Sequence, residues 1–263
     1  MWYAHTGIAA LASLAAWTPI AAAQSGTLYL TDGGAQNGYI VNDMSATSFS
    51  LMSEGESPIV VTNEIRTSGS HTNVPGSIYE LDGTHKGGPL FVSDPLESVY
   101  DAGTDGRSIY LIEFESGDVY RAGMDYADAE FMFNASDAST EMLGITYNTM
   151  TDSIWVSEWN GVELIEFDTQ GNELSRFSTG HLGNAALAYD STDNTLWLHD
   201  RSVNGFEGGI YEQWTTDGQL LFRGTISGLE GANVLGAEFG AVPAPGTLAL
   251  LAGAGAIGAR RRR

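Results

Sequence analysis

Leu187-Ala188-Tyr189-Asp190-Ser191-Thr192-Asp193-Asn194-Thr195-Leu196-Trp197-Leu198 decides the fold of this chain. An apolar run ends in tyrosine, a turn rich in Asp and Asn follows, and a second apolar run is built around an aromatic residue. Asp and Asn bond their own backbone and tolerate left-handed φ, so this pattern reads as a hairpin. Two further stretches match by eye, residues 145–156 (Tyr147, then Trp155) and 99–111 (Tyr100, then Tyr110). Their tyrosines are spaced 47 residues (100 to 147) and 42 residues (147 to 189).

Two more strand-like runs follow each hairpin. They are 162–167 and 173–177, joined by Asp168-Thr169-Gln170-Gly171-Asn172, and then 209–214 and 219–223, joined by Thr215-Thr216-Asp217-Gly218. Four strands in every 40 to 50 residues is the period of a β-propeller blade. The ends of the pattern interlock. Residues 235–239 look like a first strand with no blade after it, and residues 27–32 like a second strand with none before it. Pairing them closes the ring and leaves no open sheet edge. The expectation is an all-β propeller of about five four-stranded blades. Residues 54–98 are the least regular, so four or six blades stay open. A β-sandwich is the structural alternative, but it leaves the recurring Tyr-turn-aromatic unit without a reason.

Charge narrows the partners. Thirty-three acidic residues face eleven basic ones, and four of the basic ones are the last four residues. Residues 24–241 therefore carry a formal charge of −26. Such a surface repels nucleic acid and anionic headgroups and suits high salt or divalent cations. The chain has no cysteine, which excludes disulfides, thiolate chemistry and Cys-ligated zinc.

Both ends read as address signals. Residues 8–17 are mostly apolar and Ala21-Ala22-Ala23 offers a small-residue cleavage site, so 1–23 is expected to be a signal peptide, against a buried N-terminal helix. Residues 24–241 are the propeller body. Residues 242–263 open with Val242, Pro243, Ala244, Pro245 and Gly246, continue as an apolar run over 247–259, and end in Arg260, Arg261, Arg262 and Arg263. Thirteen helical residues cover roughly 20 Å of a hydrocarbon core of about 30 Å, a short transmembrane helix that serves as a temporary anchor with its arginines cytoplasmic. The alternative is a C-terminal hairpin or helix of the globular body.

The tail resembles the PEP-CTERM sorting signal of Gram-negative bacteria, with Ala244 where that family's motif has Glu. The resemblance implies an exosortase, a membrane cysteine transpeptidase, as partner. It further implies removal of the tail and delivery of the body to the outer envelope or extracellular matrix. Within the body, residues 187–198 and 144–156 resemble the propeller repeats of YncE-like and NHL-like proteins, a group of binding scaffolds, lactonases and lyases. That likeness implies a fold and no particular reaction.

Aligning the second strands brings up one regularity. Asp32, Glu113, Glu158 and Asp200 each follow or end such a strand, and the irregular blade offers Asn63 after residues 59–62. Four carboxylates around one propeller face would suit a hard divalent cation, Ca²⁺, through oxygen ligands. The competing reading is that acids at strand ends cap turns and stay solvated. His199, Arg201 and Trp159 lie nearby in sequence and are the ligand-binding candidates. Trp159, out of register with the core positions of Trp155 and Trp197, suits stacking on a sugar ring. No nucleophile elbow, His-Glu-x-x-His, P-loop or dinucleotide fingerprint occurs, and His71, His85, His181 and His199 lack metal-ligand spacing.

Three functions compete. The preferred one is a non-enzymatic envelope or matrix protein whose propeller binds polysaccharide or protein. The second is a metal-assisted hydrolase or lyase that uses the acidic ring, with His199 as acid and base. The third is an acidic coat whose charge is its function.

Overall fold

Apolar runs punctuated by Asp, Asn and Gly fold here as successive hairpins. The computed structural model describes residues 26–136, 140–202 and 209–240. Its strands run in chain order. They are β1 (Leu28–Asp32), β2 (Asn37–Asn42) and β3 (Ser45–Ser50), then β4 (Glu56–Val61), β5 (Ile65–Gly69), β6 (Gly76–Tyr79) and β7 (His85–Leu90). Next come β8 (Ala102–Thr104), β9 (Ile109–Ile112), β10 (Asp118–Ala122) and β11 (Glu130–Asn134), followed by β12 (Met142–Asn148), β13 (Ser153–Glu158), β14 (Glu163–Asp168) and β15 (Glu173–Ser178). The last are β16 (Asn184–Asp190), β17 (Thr195–Asp200), β18 (Ile210–Thr215), β19 (Leu220–Gly224) and β20 (Val234–Phe239).

These strands form five antiparallel sheets of four, the blades of a β-propeller. Blade 1 has the order β20-β1-β2-β3, so the C-terminal strand completes the N-terminal blade as the sequence pattern predicts. Leu28 opposes Phe239 and Leu30 opposes Ala237 across that seam. The irregular stretch 54–98 contains blade 2, β4 to β7. At the hairpin turns of blades 4 and 5, Asp152 (φ 57°) and Asn194 (φ 60°) take the left-handed conformation that Asp and Asn tolerate.

Each pair of neighbouring blades encloses its own apolar core. Tyr29 packs with Ile59 and Tyr79 between blades 1 and 2, and Leu111 with Val60 and Tyr126 between blades 2 and 3. Tyr110 stacks on Tyr147 between blades 3 and 4 at 4.9 Å and 7°. Trp155 meets Leu187 and Trp214 between blades 4 and 5, and Trp197 meets Phe239 between blades 5 and 1. Four second strands thus carry an aromatic residue, Tyr29, Tyr110, Trp155 or Trp197, at one register toward the following blade. Fully burying a side chain of this kind contributes about 1.5–3 kcal/mol, which is why the aromatic recurs. Blade 2 carries Arg66 there instead, and its guanidinium donates to the Met124 carbonyl at 2.8 Å.

Asp101, fully buried just before β8, joins the blades at the centre. Its Oδ1 accepts from the backbone N–H groups of Ala102 (3.0 Å) and Ala237 (2.9 Å), and its Oδ2 from those of Ile145 (3.2 Å) and Leu187 (2.8 Å). The donors are equivalent residues on the innermost strands of blades 3, 1, 4 and 5. Burial pushes this carboxyl well above its usual range, and the four amides pull against that shift.

The register corrects two sequence alignments. Residues 59–61 belong to β4, an innermost strand, so Asn63 sits in the β4–β5 turn at the opposite face from Asp32. Tyr100 is not the counterpart of Tyr147 and Tyr189. Thr104, which pairs with Ile109, holds that place, because Tyr147 pairs with Ile154 and Tyr189 with Leu196. The expected signal peptide, the motif at Val242, Pro243 and Pro245, the membrane helix and the arginines at 260–263 all lie outside the described residues. Among the described residues no helix is long and apolar enough to cross a membrane.

Candidate functional site

The second strand of each blade ends at one face, called here the upper mouth. The four predicted carboxylates are there, and each caps its own turn. Asp32 Oδ1 accepts from the Gly34 N–H (2.9 Å), and Glu113 Oε2 from the Ser116 N–H (2.7 Å). Glu158 Oε2 accepts from the Glu163 N–H (3.0 Å), and Asp200 Oδ1 from the Ser202 N–H (2.8 Å). Among the described residues, the His, Asp and Glu ligand atoms that approach within 4.8 Å as a trio belong to His181, Asp200 and Glu212. Of the predicted four, only Asp200 belongs to that trio. The turn-capping role therefore accounts for the observed geometry of Asp32, Glu113 and Glu158.

Even the trio has its charges balanced. Arg223 lies 2.6 Å from Asp200 Oδ2 and 3.0 Å from Glu212 Oε1, while His181 lies 3.0 Å from Glu212 and 3.3 Å from Asp200. The Trp214 indole N–H donates to Glu212 at 2.9 Å. Burial works against a charged His181, yet the bond to Glu212 and the field of both carboxylates carry its pKa above the ordinary value.

One residue further along each second strand is a different ring: Gly33, Ser70, Phe114, Trp159 and Arg201. The backbone sets its register. Each N–H donates to the loop that leads into an innermost strand: Gly33 to Asn233 (3.0 Å), Ser70 to Gly55 (2.9 Å), Phe114 to Ser98 (2.9 Å), Trp159 to Glu141 (2.8 Å) and Arg201 to Gly183 (3.0 Å). A second ring comes from the innermost strands or their approach, with Tyr100, Leu143, Ala185 and Leu235 clustered against Phe114 and Trp159. A Cβ on Gly33 would lie 2.2 Å from Leu235 Cδ1, so a larger residue there would have to displace the Leu235 side chain.

Together these rings enclose a cleft of about 200 Å³ lined by Tyr100, Phe114, Leu143, Trp159, Arg201 and Leu235. Its aromatic rings meet edge to face, Tyr100 on Phe114 at 5.4 Å and Phe114 on Trp159 at 6.3 Å. The Arg201 guanidinium lies 5.0 Å from the Trp159 ring centre, a cation–π contact. Burial lowers the Arg201 pKa to about 10, with the Asp32 charge acting in the other direction. The guanidinium stays charged at neutral pH and is already partly stripped of water. Such a cleft can stack a flat or ring-shaped ligand and hold a polar or anionic substituent.

Two of the three predicted ligand residues, Trp159 and Arg201, are thus neighbours in one cleft. The third, His199, is not in it. It is 1% exposed, donates from Nδ1 to the Val234 carbonyl (2.9 Å), and stacks on Tyr211 at 4.8 Å. Burial depresses its pKa to about 4, so it is neutral. A Cβ on Gly209 would sit 1.6 Å from its Nε2. The difference is depth along the chain: His199 shares a side with Arg201 but lies within β17, packed against Tyr211 and the Val234 carbonyl, whereas Arg201 lies past the strand's end. Tyr100 and Phe114 complete the cleft beyond the residues that the sequence points to, although Phe114 follows Glu113 as Trp159 follows Glu158.

No family model matches the chain, and no curated protein matches it. Among solved structures, a chain of the nidogen/laminin complex superposes with a TM-score of 0.57 at 12% identity, over 82% of this chain and 98% of that one. A streptogramin B lyase gives 0.48 at 17% identity, over 81% and 70%. A virginiamycin B lyase from Staphylococcus aureus gives 0.43 at 18% identity, over 63% and 54%. At such identities the likeness concerns the fold alone.

Proposed function

We propose that this chain is an exported bacterial envelope or matrix protein, sorted by an exosortase, whose propeller binds a glycan in the upper mouth. The observation that carries the reading is the cleft itself. Three aromatic rings and a partly desolvated guanidinium converge in it, and stacking on sugar rings calls for that combination. The two terminal segments support export and sorting, and the acidic body suits a solvated extracellular setting. An enzymatic reading needs His199 as acid and base at a metal, and that buried, neutral ring offers no proton to the mouth.

The test is affinity electrophoresis of the purified protein through gels containing polygalacturonate, dextran, or exopolysaccharide from its own organism. Retardation that disappears in Trp159→Ala and weakens in Arg201→Gln is the expected result. Unretarded migration in all three gels, or equal retardation of the variants, would overturn the glycan assignment. Sorting is tested separately. The mature protein's mass should drop by the length of the tail in a host with an exosortase, and Pro243→Ala with Pro245→Ala should prevent that.

A further inference from the structure

The opposite, lower mouth has a cavity of about 210 Å³ with a mixed polar and apolar lining. It is walled by the hairpin ends of the innermost strands, among them Thr104, Tyr147, Tyr189 and Phe239, with Asp105 in the adjoining turn. Glu238 on β20 also lines it. Glu238 pairs with Tyr29, whereas the equivalent residues opposite Arg66, Tyr110, Trp155 and Trp197 are Val60, Gly103, Thr146 and Ala188. A carboxyl group has replaced a small or uncharged side chain at one of five equivalent places. It is 6% exposed, and its Oε2 has no hydrogen-bond partner. An orphaned buried carboxyl oxygen is costly and calls for a reason.

We propose that the lower mouth binds a compact organic cation, an alkylammonium or alkylguanidinium group, with Glu238 as its counter-charge. No Lys or Arg is among the residues that line the cavity. Asp105 brings a second carboxyl group to the lining, and Tyr147 and Tyr189 add aromatic side chains, the residue type that attracts ammonium groups. A divalent metal fits less well, because Glu238 belongs to no trio of closely spaced metal ligands among the described residues. Burial and the Asp101 charge push the Glu238 pKa well up, and a bound cation would relieve both effects. This site is separate from the aromatic cleft and does not depend on it.

The test is calorimetric titration of the full-length protein with n-butylammonium and n-butylguanidinium chloride at constant ionic strength, with xylose and calcium chloride as comparison probes. Saturable binding of one organic cation is expected. Glu238→Gln, an isosteric change, should weaken it at least about tenfold, the loss expected for one charged hydrogen bond. Ser191→Arg, which tethers a cation at the exposed rim, should abolish it, and Trp159→Ala should leave it unchanged. Absence of saturable cation binding, equal binding by Glu238→Gln, or tighter binding of xylose or calcium would overturn the proposal.

Discussion

The two mouths lie at opposite ends of the same five innermost strands, yet they differ in chemistry. At the upper mouth those strands begin; the connection from β7 to β8 supplies Tyr100, and the turns after β9, β13 and β17 supply Phe114, Trp159 and Arg201. At the lower mouth Thr104, Tyr147 and Tyr189 line the wall together with the carboxyl groups of Asp105 and Glu238. Asp101 sits between the mouths and ties four blades together.

Removing that tie is expected to have the largest effect. Asp101→Ala leaves four buried N–H groups unpaired on four strands, at a cost of about 3–5 kcal/mol. Urea denaturation should give a much lower midpoint, and both mouths should lose their ligand responses together. Loss at one mouth only would mean that the two are held independently.

Acid should affect the protein through His199, which has a folded pKa of about 4 against about 6.5 unfolded. Its contribution is fully present above pH 6.5 and is lost as pH falls toward 4, on the order of 3 kcal/mol in all. His181, which is raised, behaves in the opposite way. Its contribution is full below pH 6.5 and is lost as pH rises through its folded pKa. Urea midpoints between pH 4 and 8 should therefore show a flatter acid limb in His199→Leu, relative to wild type, and a flatter neutral limb in His181→Gln. Unchanged limbs would refute the assignment.

Smaller changes separate the mouths. Trp159→Ala should reduce glycan affinity about tenfold through lost stacking while the lower mouth still binds cations. The baseline is Arg121→Ala, which removes an exposed ion pair with Glu130 at 2.8 Å and touches neither mouth. Its stability should change by less than about 0.5 kcal/mol. A larger change would mean that the outer blade edges couple to the mouths.

Period-two alternation and Asp-rich turns made most strands readable from sequence, and the incomplete pattern at 27–32 and 235–239 revealed the closure. Blade 2 was read in the wrong frame because Arg66 replaces the aromatic marker. Tyr100 was misaligned for a related reason, since Thr104 stands where the other repeats have tyrosine. The carboxylates marked the correct strand ends, but the cleft is formed by the residues that follow them. A strand's alternation reverses direction at each step, so an alignment out by one residue turns a cleft residue into a cap.

The sequence by itself determined a closed ring of four-stranded blades, because apolar spacing and turn chemistry are local and repeat with the chain. Only the tertiary structure decided which side chains meet. Asp101 gathers N–H groups from residues up to 136 positions away, and Glu238 faces a cavity made by five blades. Such contacts depend on register between strands far apart in sequence, and local pattern carries no record of it.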